Sequence, residues 1–345
     1  MAAGPVTITG AGGFIGGAVA ERYRSTGHAV RGVDVVADPG RAIVGGDVSR
    51  RGGWETAFDG AELVVHTAAL VSNTATRDQA WAVNVAGTRN VLDAARDVGA
   101  RRVLVFSSAA VYSHRRTGTV TEDTPVRPGD GVYGDTKIAA ENVALQVAAG
   151  GDLEVTILRP ADVYGPGSRP WTVLPVRNLR AGRVVLPARG RGVFDPVYID
   201  DLVAAVIAAG EVAEAAGRVV NLGGGAPVTT AEFFGHYCRM LGIGPPRTAP
   251  TPVATGLATV VGWASRARGR PSEITAATMR MLAGTGSLSI ERARRLLGWE
   301  PSIDLHEGMA ITERWLRDTG ELPHPSGDGA PQGARTSVQP NRFCG

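Results

Sequence analysis

Lysine is almost absent from this sequence. Of 36 basic residues in 345, all but Lys137 are arginine. A chain so biased uses arginine wherever any cation will serve, so its one lysine marks a task unsuited to a planar, permanently charged guanidinium. Cysteine is nearly as scarce. Cys238 and Cys344 give no framework of bridges, which fits a reducing compartment and excludes a disulfide-stapled fold. No apolar run approaches the ~18 residues of a membrane span. The nearest, 252–264, is short, contains glycine and reads as a surface or substrate-lining helix. The start also lacks the charged-then-apolar pattern of a secretory signal, so a cytoplasmic location is expected. The histidines are scattered, and His306-Glu307 lacks a second histidine four residues after the first, so no metal is expected. Arg266, Arg268 and Arg270, and again Arg292, Arg294 and Arg295, have no interleaved aromatics; they read as solvated helix faces rather than a nucleic-acid surface.

What is present is an alternation. Strand-like runs at Val6–Thr9, 30–36, Leu63–His66, 103–106 and 155–158 are separated by helical patterns over Phe14–Ser25, 79–98 and 133–147. This is the order of βαβ units around a parallel sheet, and a late run at 218–221 reads as a return to it. After about Gly165 the helices shorten and turns such as Gly244-Pro245-Pro246 multiply. Thr229 with Glu232, and Asp304 with Glu307, have the spacing of capping boxes.

The first strand leads into Thr9-Gly10-Ala11-Gly12-Gly13-Phe14-Ile15-Gly16, which opens a helix. Glycines at 10, 13 and 16 clear side chains from a tight turn, and the helix start at Phe14 and Ile15 offers free N–H groups to a pyrophosphate. Asp34 ends the second strand 24 residues after Gly10, where a carboxylate can hold an adenosine ribose and repel a 2′-phosphate. NAD is therefore expected over NADP. A strand-end turn is the plainer role for Asp34, and Arg31 and Arg41 lie near enough in sequence to serve a phosphate instead. Asp47, with Val48 after it, suits the adenine edge about as well as a simple turn.

Tyr133-Gly134-Asp135-Thr136-Lys137 puts a phenol and an ammonium four apart on one helix face. A free phenol, with a pKa near ~10, is a poor base at neutral pH. A nearby cation favours the phenolate and makes tyrosine a usable acid/base. Ser108, ending the run before it, is placed to hold a substrate oxygen, while Ser107 reads as a backbone cap. His66 reads as structural.

With these residues in view, the chain resembles an extended short-chain dehydrogenase/reductase of the NAD-dependent epimerase/dehydratase superfamily. The resemblance covers about residues 4–318. It includes His66-Thr67-Ala68-Ala69, Asn84-Val85-Ala86-Gly87-Thr88, Ser107-Ser108, Tyr133 with Lys137, and Arg159-Pro160. It continues through Val163-Tyr164-Gly165-Pro166-Gly167, Asp200-Asp201-Leu202 and Ala293-Arg294-Arg295-Leu296-Leu297-Gly298-Trp299. It implies an α/β fold, a Rossmann-type doubly wound parallel sheet over 1–165 rejoined by 193–225. From 321 onward Pro, Gly and Ser dominate, so composition predicts a disordered tail over 321–345, while the resemblance places a smaller, mainly helical substrate region over 166–192 and 226–320. It further implies Ala68 lining the cofactor cleft, Asn84 supporting it, Pro160 near the nicotinamide, and a homodimer.

Three departures bear on substrate. Dehydratases of this family carry an acidic pair after the serine position, where this chain has Ala109-Ala110. Nucleotide-sugar enzymes commonly place a pyrophosphate-gripping arginine where this chain has Phe194, although Arg189 and Arg191 are near. Epimerases often carry a lysine after the cleft alanines, where this chain has Leu70-Val71. With the small apolar residues, Trp263, Met279 and Met281 in 255–288, the resemblance leans to the 3β-hydroxysteroid dehydrogenase-like branch. The expected substrate is a bulky, largely apolar alcohol or ketone. The alternative is a nucleotide-sugar epimerase with tightly held NAD, and a non-catalytic dinucleotide sensor would have lost the Tyr133–Lys137 pair.

Overall fold

Valine-rich runs too short for helices assemble into one seven-stranded sheet. The computed structural model describes residues 4–72, 74–114, 116–269 and 273–323. Its central strands are β1 (Val6–Thr9), β2 (Val30–Asp34), β3 (Ile43–Gly45), β4 (Leu63–His66), β5 (Arg102–Phe106), β6 (Glu154–Pro160) and β7 (Val219–Leu222). They are all parallel, in the order β7-β6-β5-β4-β1-β2-β3. The winding reverses between β1 and β4, so a crevice opens at the C-terminal ends of those strands. This is the doubly wound α/β sheet expected.

Side chains alternate across the sheet as period two requires. Val64, Val103, Val105 and Ile157 enter the core on one face. Leu63, Val65, Leu104, Phe106 and Leu158 enter the core on the other. Helix α1 (Phe14–Ser25) follows β1. Helix α2 runs from Arg77–Trp81 through a π turn, Ala82–Ala86, into Gly87–Asp97. Helix α3 is Val132–Ala149 and helix α4 is Ile199–Glu211.

Several boundaries differ from the sequence reading. The second strand stops at Asp34, because Val35 and Val36 point into solvent rather than onto a helix. The three-residue edge strand β3 was not expected. The π turn interrupts what reads as one continuous helix over 79–98.

Beyond α4, short helices pack as a second body: Thr230–Met240, α5 (Thr251–Ala267), Ala276–Leu282, Glu291–Leu297 and Leu305–Asp318. Thr229 and Glu232 form the expected reciprocal cap, and Asp304 accepts from the Glu307 N–H at 2.8 Å. Strand Thr117–Val120 pairs with Thr285–Leu288, tying the chain after β5 to this body. One buried cluster runs from Val6 and Leu104 through Leu202 and Phe233 to Leu316 and Leu322, so the two bodies share a core. Of the expected tail, Leu322 is buried and Glu321 pairs with Arg177, while 324–345 and Cys344 lie outside the described residues.

Candidate active site

The turn after β1 is shaped by absent side chains. Gly10 has φ +73°, the left-handed region that favours glycine. A Cβ on Gly16 would stand 2.2 Å from the Gly10 carbonyl oxygen, so α1 can sit on the turn only with glycine there. Gly13 precedes α1 with no side-chain cap, which leaves the first N–H groups, from Phe14 and Ile15 onward, open to an anion. Asp34 accepts from the Gly12 N–H at 2.9 Å and the Val35 N–H at 2.8 Å, placing its carboxylate against the same turn. An uncapped helix start, a turn with no side chains in the way and a carboxylate at the next strand end fit a dinucleotide.

Of the two doubtful arginines, Arg31 donates to the Asp59 carbonyl at 2.8 Å, while Arg41 donates to the Ala11 carbonyl at 3.1 Å and stays beside the turn. Asp47 is exposed and accepts from the Ser49 N–H at 2.9 Å, the turn geometry of its plainer reading. Val48 is buried, and its carbonyl accepts from Asn90 at 2.9 Å. Ala68 lies directly under Gly10. His66 is buried between Thr9 (2.7 Å) and Thr88 (3.0 Å), and burial, with Lys137 adding, drives its pKa down to about 3. Asn84 accepts from the Leu70 N–H at 2.7 Å and donates to Thr136 Oγ1 at 3.0 Å. It thus stitches the loop after β4 to α3 one residue before Lys137.

Tyr133, Lys137 and Glu141 follow one face of α3 at four-residue steps. Lys137 is buried, and its Nζ donates to the Phe106 carbonyl at 2.7 Å and stands 5.9 Å from the Tyr133 ring centroid. Burial lowers the ammonium to about 8, with Glu141 opposing. The phenol is not lowered as expected. Burial pushes Tyr133 up, outweighing the side-chain hydrogen bond with Ser108 that pulls it down.

The backbone cap expected of Ser107 is made by its neighbour. Ser108 is the cap, its Oγ accepting from the Ala110 N–H at 3.1 Å on extended backbone. Ser107 instead donates to Glu141 at 2.5 Å. Glu141 is gripped by Arg159 through both carboxylate oxygens (2.8 and 2.6 Å), Arg159 donates to the Tyr112 hydroxyl at 2.7 Å, and Tyr112 donates to Asn221 at 2.7 Å. This buried chain links β5, α3, β6 and β7. The sequence reading missed Glu141, although it continues the four-residue spacing of Tyr133 and Lys137, and treated Arg159 only as a motif. Pro160 closes β6 beside this network. Two residues on, burial raises the Asp162 carboxyl to about 7 against the pull of Arg116.

Phe194 is buried in an aromatic cluster, 4.8 Å from Trp171 and 4.3 Å from Phe233 between ring centroids. Arg189 and Arg191 are exposed. Met279 is buried in the core, whereas Trp263 is 76% exposed.

A family model described as the NAD dependent epimerase/dehydratase family matches residues 6–223. The chain is 31% identical to a 3-diazoavenalumate denitrifying reductase from a Streptomyces species, over 86% of this chain and 96% of that protein. It is 30% identical to a UDP-glucose 4-epimerase of Mycolicibacterium smegmatis, over 91% and 99%. It is also 29% identical to a 3beta-hydroxysteroid-dehydrogenase/decarboxylase of Arabidopsis thaliana, over 74% of this chain and 62% of that protein. Among solved structures, MoeE5 in complex with UDP-glucuronic acid and NAD matches with TM-score 0.75 and 29% identity, over 92% of this chain and 100% of that one.

Proposed function

The chain belongs to the NAD dependent epimerase/dehydratase family, and we propose that within it the protein is an NAD-dependent oxidoreductase interconverting a secondary alcohol and a ketone on a bulky, largely apolar small molecule. A nicotinamide cofactor, when bound, supplies or accepts the hydride. Gly10, Gly13, Phe14, Ile15 and Gly16 hold its pyrophosphate, and Asp34 its adenosine ribose. Val48, Ala68, Asn84 and Pro160 line or brace the cleft, and Asp47 serves the turn at its adenine end. Lys137 binds the ribose nearer the nicotinamide. Ser108 orients the substrate oxygen. Tyr133, its phenol kept protonated by burial, donates the proton to that oxygen as a carbonyl is reduced and takes it back in the reverse direction. Asp34 favours NAD over NADP by repelling a 2′-phosphate. Arg41 beside it makes the preference a matter to measure, by comparing the affinities of the two cofactors.

Phe194 carries the choice of substrate class. The position where nucleotide-sugar enzymes place a pyrophosphate-binding arginine is here inside an aromatic core. The reading is supported by the hydroxysteroid dehydrogenase and reductase relatives. The epimerase relative and the UDP-sugar complex support the second reading, a nucleotide-sugar epimerase with resident NAD, for which Arg189 and Arg191 would have to grip the diphosphate. The test is to screen apolar hydroxy and keto compounds for net NADH formation or consumption. Tyr133→Phe should lower the rate by ~10²-fold or more. Full activity in that variant defeats the mechanism, and sugar interconversion without net absorbance change defeats the substrate class. A cytoplasmic homodimer completes the reading, with α3, where Leu145 is exposed, as the contact to examine.

A further inference from the structure

Helix α5 carries its polarity inside out. A helix packed on a protein normally hides its large apolar side chains and shows its polar ones. Here the buried positions are Ala254 and Ala258, on the side packed against Ala276–Leu282. Val253, Leu257, Val260 and Val261, at steps of four, seven and eight, face outward at 59%, 48%, 67% and 44% exposed, with Trp263 beside them. Single exposed apolar residues are ordinary, but a continuous stripe along one helix marks an interaction surface.

Along the chain, the stripe is flanked by charge of one sign. From 233 to 272 the sequence contains no aspartate or glutamate, and it contains Arg239, Arg247, Arg266, Arg268 and Arg270. Arg266 and Arg268, at the C-terminal end of α5, are exposed. The next acid in sequence, Glu273, accepts from the Ser72 hydroxyl at 3.1 Å.

We propose that this face docks on an anionic lipid bilayer, with α5 lying along the headgroup layer. The apolar stripe enters the acyl boundary, Trp263 sits at the interface, and Arg266 and Arg268 meet lipid phosphates. At 17 residues α5 is too short to span, and among the described residues no helix is long and apolar enough to cross a membrane. A bilayer supplies both an apolar layer and the anions that this acid-free segment lacks. A second copy in twofold pairing would instead set the segment against itself, with no carboxylate of its own to answer the arginines. The inference does not depend on the substrate proposed above.

The experiment is co-sedimentation of the full chain with phosphatidylcholine vesicles, with and without phosphatidylglycerol. The expected result is binding that needs phosphatidylglycerol and weakens with salt, accompanied by a blue shift in tryptophan emission that Trp263→Ser abolishes. Leu257→Ser with Val260→Ser should cut the bound fraction by about tenfold or more, with melting temperature and NAD affinity unchanged because these exposed side chains belong to none of the buried clusters. Arg266→Glu with Arg268→Glu should remove the dependence on phosphatidylglycerol. The proposal is overturned by failure to bind anionic vesicles, or by binding that ignores these substitutions. It is equally overturned by a self-association that the serine variant breaks while the wild type ignores vesicles.

Discussion

At Lys137 burial and charge pull in opposite directions, and the pH dependence of stability should record it. The ammonium titrates near 8 in the folded chain against an ordinary value near 10.5. Between those values the unfolded chain binds the extra proton, so this residue makes stability rise with pH across that window, by up to about 1.4 kcal/mol per pH unit. Denaturant unfolding at pH 8, 9 and 10 should show that component in the wild type and not in Lys137→Met. Lys137→Arg, tolerable at most surface cations of this chain, should lose activity by ~10²-fold or more, since a fork-shaped guanidinium cannot reproduce the compact contact on Phe106. His66 acts on the acid side. It stays neutral down to about 3 in the fold and charges near 6.5 when unfolded, so stability should fall as pH drops through that interval. His66→Gln should flatten this acid limb, and an unchanged limb assigns acid unfolding elsewhere. The arginine bias has its structural counterpart in Arg102, fully buried and donating to the carbonyls of Ala209, Gly210 and Val212 at the end of α4.

Among the elements, the β1–α1 turn is the most legible in sequence, because glycine spacing there answers to backbone geometry that no other residue meets. Gly16→Ala should force its Cβ against the Gly10 carbonyl. Overpacking of this kind costs about 1–3 kcal/mol, and the expected readouts are a lower melting temperature and NAD affinity reduced by about tenfold or more. Wild-type affinity in that variant removes the turn from the cofactor site. Helix α2 was legible in extent but not in form. An extra residue in its π turn leaves no mark on composition, yet that turn carries Asn84, which braces Leu70 and Thr136. Strand β3 is too short for a periodic signal, and β2 reads too long because Val35 and Val36 match the strand pattern while lacking a partner. Ser107 and Ser108 are adjacent and chemically identical, so only the arrival of Glu141 from α3 could distinguish their roles.

In the whole molecule, the two bodies read from composition are joined by one continuous core and by the pairing of Thr117–Val120 with Thr285–Leu288. Thermal unfolding should therefore be a single transition by calorimetry and circular dichroism, raised by bound cofactor. Two resolved transitions would mean that the shared cluster does not couple the bodies. The sequence by itself determined the parallel sheet, the glycine turn and the Tyr133–Lys137 face, because each follows from local spacing: period two, period four, or a missing Cβ; the family was legible from its ordered motifs taken together. Only the tertiary structure decided how these groups are tuned. Burial raises Tyr133 and lowers Lys137, Glu141 and Arg159 close a buried network behind them, Phe194 sinks into an aromatic core, and α5 turns its apolar face outward. Each depends on which distant segments meet, and on what they leave in contact with water.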